Sequence, residues 1–148
     1  MRVKIGLDLV AVASVAESID RHAASYLERV FTSEELDDCT GPGAAAPDPA
    51  RLAARFAAKE ATLKVLAGRD DAIPWQSIGV RRGDDGAPSL ELTGAAACAA
   101  RERGIEELNL SMTHEGPFAA AVVVATLGPK QPEGAAMGSS STGTRGSR

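Results

Sequence analysis

The chain has 148 residues, a length that suits one domain built on a single core. Its formal net charge of -4 argues against broad electrostatic binding to nucleic acid, which needs a basic surface. Aromatic residues make up only 3% of the chain, so the core must be assembled from Leu, Val, Ile and Ala.

Val3 to Val12 reads as a strand with Val3, Ile5, Leu7 and Leu9 on one face and Lys4, Gly6, Asp8 and Val10 on the other. Asp8 is thereby set opposite the most apolar face, beside a glycine with no side chain to cover it. Ser14-Val15-Ala16-Glu17 has the pattern of a capping box, which predicts a helix to about Ala24. Thr32-Ser33-Glu34-Glu35 repeats the signal before a short helix ending near Cys39. The prolines and glycines of residues 41–49 predict a loop.

Leu52 to Leu66 is the strongest helix, with Leu52, Phe56, Leu63 and Leu66 on one side and Gly68 as its stop. Ile78 to Arg82 and Ser89 to Thr93 read as two strands of a hairpin turning at Gly83-Asp84-Asp85-Gly86. A helix over Gly94 to Arg103 stops at Gly104. The strands Leu108 to Thr113 and Phe118 to Leu127 follow, joined at Glu115-Gly116-Pro117. The last of these is nearly all apolar, which predicts a central, buried strand. Residues 1–127 form the expected domain. From Gly128 to Arg148 the Gly, Ser, Thr and Lys/Arg composition predicts a disordered tail.

Cys39 and Cys98 stand alone, without zinc-ligand spacing, and are expected to be reduced thiols. No apolar run approaches the roughly 18 residues of a membrane span. The N-terminus lacks the apolar core and cleavage site of a signal peptide. The expectation is a cytoplasmic protein with neither nucleic acid nor membrane as a partner.

Three segments carry chemistry. Gly6-Leu7-Asp8 presents one carboxylate next to a bare backbone. On the helix, Arg55 and Lys59 are like-charged i,i+4 neighbours, an unfavourable pair unless an anion lies between them, and Glu60 and Lys64 are spaced to pair. Lys59 is expected at the rim of the helix, near a phosphate. Asp8 and Glu60 are two oxygen donors of the kind Mg²⁺ takes alongside substrate phosphates. Ser111-Met112-Thr113-His114-Glu115 places hydroxyls and an imidazole at a strand end. Each segment also has an ordinary reading: a solvated Asp, a decorated amphipathic helix, and a surface His.

Together they resemble the holo-acyl-carrier-protein synthase family of small 4′-phosphopantetheinyl transferases. Its marks are a Gly-x-Asp strand, a Phe-Ala-x-Lys-Glu-Ala helix and a late Ser-x-Ser/Thr-His segment. Here they are Gly6-Leu7-Asp8, Phe56-Ala57-Ala58-Lys59-Glu60-Ala61 followed by Lys64, and Ser111-Met112-Thr113-His114. Further similar stretches are residues 28–36, 75–80 and 86–90, so the likeness covers residues 3 to 127.

The resemblance implies an α+β fold of antiparallel strands packed against a long helix, assembled as a homotrimer with active sites at the subunit clefts. It implies coenzyme A as donor, Mg²⁺ as cofactor and an acyl carrier protein as acceptor, in fatty-acid or polyketide synthesis. By position, Asp8 and Glu60 match the metal ligands. Arg55, Lys59 and Lys64 match basic groups near the coenzyme A phosphates, and Ser111, Thr113, His114 and Glu115 match a segment lining the nucleotide. Glu60 is the first candidate for the base that takes the serine proton, with His114 and Glu115 as alternatives, and Lys64 neutralises the leaving diphosphate.

Two stretches depart from the family pattern. Ala11 to Val15 has no basic residue, and Ala67-Gly68-Arg69-Asp70-Asp71 keeps one glycine of a Gly-Thr-Gly-like turn. Arg21, Arg29, Arg51 and Arg55 are the arginines available to dock an acidic carrier. Two other readings remain open: a homologue that binds coenzyme A or a carrier without turnover, and an unrelated Mg²⁺-dependent phosphohydrolase using Asp8 and Glu60.

Overall fold

A computed structural model describes residues 1–67 and 72–129. The expected helix stop at Gly68, the Arg69 turn and nearly all of the expected tail lie outside the described residues.

Ten elements follow one another: β1 (Arg2–Ala11), α1 (Val12–Val30), α2 (Ser33–Cys39), α3 (Pro49–Leu66), a 3-10 turn (Trp75–Ser77), β2 (Ile78–Arg82), β3 (Pro88–Leu92), α4 (Gly94–Glu102), β4 (Ile105–Glu115) and β5 (Phe118–Leu127). The fold is α+β. β1, β5 and β4 form an antiparallel sheet in that order, and β2 pairs with β3 in a separate hairpin. The apolar β5 is central, as its sequence requires.

α3 is the axis of the molecule. It packs on all three strands of the larger sheet and also meets α1, α2 and β2. This is why its apolar positions do not form one stripe: Leu52, Ala53, Ala54, Ala57, Ala58, Ala61, Val65 and Leu66 are all buried. The small side chains let helix and sheet approach closely, since the facing residues of β5 are Ala119, Ala121, Val123 and Ala125. The approach is close at Gly6, where an added Cβ would lie 1.9 Å from the Ala61 carbonyl oxygen.

That contact decides which face of β1 points inward, and the apolar face is the one left outside. Val3 is 48% exposed, Ile5 65%, Leu7 63% and Leu9 65%, while Gly6 is buried and Asp8 half-buried.

The caps explain the helix starts. The Thr32 hydroxyl accepts from the Glu35 N–H while the Glu35 carboxylate accepts from the Thr32 N–H, a complete capping box. Asp48 caps α3 by accepting from the Ala50 N–H at 2.8 Å, and Pro49 occupies its first turn, so α3 begins three residues before Leu52. α1 differs from expectation. It starts at Val12 with no side-chain cap and runs to Val30, so Ser14 lies inside the helix and forms no capping box with Glu17. Its first turn is held instead by the Val12 N–H donating to the Pro117 carbonyl in the β4–β5 turn.

Candidate active site

Because Gly6 seats β1 on α3 at Ala61 and Val65, Asp8, two residues further along the same face, is brought within reach of Lys64 on that turn of the helix. Lys64 donates to the Asp8 carboxylate at 2.9 Å and to the Leu7 carbonyl at 2.6 Å. Glu60 is one turn earlier on α3. Burial, and then the neighbouring Asp8 carboxylate, push the Glu60 carboxyl above the usual range, with Lys64 opposing. Three expected site residues, Asp8, Glu60 and Lys64, are thus gathered at one helix–strand contact.

Among the described residues there is no group of three or more His, Cys, Asp or Glu side chains suited to a metal. Magnesium does not need one: it takes one or two carboxylates and completes its octahedron with water and substrate phosphates. Two carboxylates without thiolate or imidazole fit a hard cation of that kind.

Lys59 corrects the sequence expectation. It does not rim the helix or face a phosphate: its side chain is 0% exposed and forms an ion pair at 2.8 Å with Glu35, also 0% exposed. Its ammonium further donates to the carbonyls of Trp75 at 3.1 Å and Ile78 at 2.5 Å. The like-charge neighbours Arg55 and Lys59 are accommodated by two separate carboxylates, because Arg55 meets Asp38 at 3.5 Å. Breaking a buried pair of this type by removing one partner costs about 3–5 kcal/mol.

Arg55 is 5% exposed and lines a cavity of about 310 Å³ together with Arg51, Arg81, Arg82, Thr113 and His114. It is therefore buried in a site and unsuited to dock a carrier from the surface, and Arg51 belongs to the same cavity. Among the described residues the buried Nε of Arg55 has no hydrogen-bond partner, although its guanidinium is otherwise held by Asp38. A buried guanidinium N–H beside further arginines is suited to a phosphate oxygen.

The structure brings Arg55, Thr113 and His114 together here. Ser111 lies on the outer face of the sheet, in a shallow hollow with Leu7 and Thr113, and Glu115 is exposed at the end of β4. Arg55 and Glu60 are five residues apart on α3, about 140° around the helix, so the arginine cavity and the carboxylate cluster occupy different faces. Sequence reasoning missed Asp38, Arg81 and Arg82. The adjacent arginines before the hairpin turn were the available signal.

The sequence model of the 4′-phosphopantetheinyl transferase superfamily matches residues 4–123, and the chain belongs to that superfamily. Relatives within it narrow the assignment. The chain is 39% identical over 127 residues to a holo-[acyl-carrier-protein] synthase of Desulforudis audaxviator, covering 86% of this chain and 94% of that one. It is 43% identical over 130 residues to a holo-[acyl-carrier-protein] synthase of Anaeromyxobacter dehalogenans, covering 84% and 97%.

Among solved structures, the holo-[acyl-carrier-protein] synthase of Helicobacter pylori in complex with coenzyme A superposes with a TM-score of 0.70 at 27% identity, covering 83% of this chain and 100% of that chain. The Neisseria meningitidis synthase superposes with a TM-score of 0.70 at 32% identity, covering 82% and 96%. Within the superfamily, the chain is a member of the holo-[acyl-carrier-protein] synthase family and a phosphopantetheinyl transferase.

Proposed function

We propose that this chain transfers 4′-phosphopantetheine from coenzyme A to a serine of an apo-acyl carrier protein, with Mg²⁺, and releases 3′,5′-ADP. The observation that carries the reading is the Asp8–Glu60–Lys64 cluster at the β1–α3 contact of a chain of this family.

In the reaction the serine oxygen bonds to the β-phosphorus while the bond from that phosphorus to the bridging oxygen breaks. Such transfer needs little covalent help from the protein, and positioning with charge neutralisation supplies most of the rate. Asp8 and Glu60 would hold Mg²⁺, which neutralises the diphosphate when bound. Glu60 receives the serine proton, directly or through a water, from its place beside Asp8 and Lys64. Exposed His114 and Glu115 are the second choices. Lys64 balances charge on the 5′-phosphate of the departing 3′,5′-ADP. Arg51, Arg55 and Arg82, with Thr113 and His114, bind coenzyme A phosphate in the arginine cavity.

The exposed row Val3, Ile5, Leu7 and Leu9 supports a homotrimer in which copies cover this face and sites form at the clefts between them. Arg21 and Arg29, both exposed on α1, remain as surface arginines for an acidic carrier. Among the described residues no helix is long and apolar enough to cross a membrane. A module that only binds coenzyme A would need the arginine cavity alone, and the intact Asp8–Glu60–Lys64 cluster favours turnover.

Glu60→Gln tests this assignment. The variant is expected to keep the thermal midpoint and lose transfer. Transfer at the parental rate would remove Glu60 from the reaction.

A further inference from the structure

We infer that the buried Lys59–Glu35 pair is a positioning device that sets the two walls of the coenzyme A cavity against each other. The inference rests on the arginine cavity being the coenzyme A site.

The three hydrogens of the Lys59 ammonium have acceptors on three different elements: the Glu35 carboxylate on α2, the Trp75 carbonyl in the 3-10 turn and the Ile78 carbonyl on β2. Both Glu35 oxygens are also used. One accepts from the Val80 N–H on β2 at 2.9 Å, and the other takes the Thr32 N–H and the Lys59 ammonium. Val80 pairs across the hairpin with Leu90, and Glu35 supplies a further acceptor to β2 from α2. One buried pair thus joins α2, α3 and the root of the β2–β3 hairpin.

Those elements, together with the end of β4, build the cavity. Arg55 is one turn before Lys59 on α3, and its partner Asp38 is one turn after Glu35 on α2. Arg81 and Arg82 follow Val80 directly, and Gly86 and Pro88 of the same hairpin complete that wall. A shift of the hairpin against α3 would move Arg82 relative to Arg55. A buried ion pair is a poor source of net stability compared with apolar packing, whereas it holds its partners in one orientation. Binding a phosphate between guanidinium groups depends on orientation of that kind. Neither Lys59 nor Glu35 lines the cavity, so both act through the residues that do.

The test is steady-state transfer with coenzyme A and an apo-acyl carrier protein varied separately. Three variants are compared in the full chain, each with its thermal midpoint and circular dichroism spectrum. Lys59→Met with Glu35→Gln removes both charges and keeps an acceptor for Val80. Glu35→Asp keeps both charges but is one methylene too short to reach Val80 and Lys59 together, so it tests the tie if the double variant fails to fold. Arg55→Ala checks the cavity itself.

The expected result is a rise of about tenfold in the coenzyme A KM for the folded double variant and about threefold for Glu35→Asp. The carrier KM and kcat should stay within about threefold of the parent. A purely structural pair would lower the active fraction, and so the apparent kcat, without moving KM. An unchanged coenzyme A KM in folded Glu35→Asp or in the folded double variant overturns the inference, provided Arg55→Ala raises it. An unchanged KM in Arg55→Ala overturns the cavity assignment, and the inference with it.

Discussion

Replacing Gly6 by alanine would set a methyl carbon 1.9 Å from the Ala61 carbonyl oxygen, 2.8 Å from its carbonyl carbon and 3.1 Å from a Val65 methyl. A carbon–oxygen contact is relaxed at about 3.3 Å, so β1 must lift off α3 by about 1.4 Å at this point. The obstacle is helix backbone, which cannot rotate away, so the cost falls near the top of the overpacking range, about 3 kcal/mol. For a domain of this size that is a fall of about 10 °C in thermal midpoint. Asp8 moves with the strand, its 2.9 Å contact with Lys64 opens, and the alignment of Asp8 with Glu60 is lost. Misplacement on this scale costs about a hundredfold in rate. The assay is thermal denaturation with transfer measured at a temperature where the variant is folded. Gly79→Ala is the control, since its added carbon would lie 3.5 Å from the nearest atom, the Glu91 carbonyl oxygen. Its stability should change by less than about 1 kcal/mol. A Gly6→Ala protein with parental midpoint and parental rate would refute the seating of β1 on α3.

Cys39 is buried, and burial pushes its thiol up to about 11, with Arg55 opposing, whereas Cys98 is exposed. A raised thiol pKa means little thiolate at a given pH, so iodoacetamide near about pH 8 should add one label to the native chain and two in denaturant, read by intact mass. Two labels under native conditions would contradict the burial of Cys39. Thr32→Ala removes half of the α2 capping box and should cost about 1 kcal/mol in denaturant unfolding. An unchanged midpoint would mean that the cap does not hold α2. Ile5→Asp puts a charge on the exposed apolar row of β1. If copies of the chain cover that row, sedimentation velocity should show dissociation to monomer and transfer should fall at least about tenfold. An unchanged assembly would place the interface elsewhere.

The parts of this fold legible in the sequence are those where local chemistry and tertiary context agree. The near-continuous apolar run of Phe118 to Leu127 gave the central strand with its observed limits, and the capping residues around Thr32 gave α2. Alternation in β1 identified the strand but not its inward face. Hydrophobicity favours the Ile5 and Leu7 side, whereas only the Gly6 side can lie against α3. Lys59 lies inside, away from the rim its spacing predicts, for a related reason. An alanine-rich helix enclosed by a sheet, a hairpin and two helices buries residues all round, and a lysine can be inside when Glu35, distant in sequence, meets it. The Asp8, Glu60 and Lys64 cluster was legible because spacing along one helix and one strand fixes it once the two elements touch. The adjacent Arg81 and Arg82 are a local signal, but their meeting with Asp38 and Arg55 depends on packing between α2, α3 and a hairpin, which no local pattern encodes.

The most direct test is the intact mass of an apo-acyl carrier protein after incubation with this chain, coenzyme A and Mg²⁺. The expected result is a gain of one phosphopantetheine group, absent when EDTA is added and absent with Asp8→Ala. Coenzyme A binding without a mass gain on any of a panel of apo-carriers would contradict the transferase account and leave a module that holds its donor without turnover.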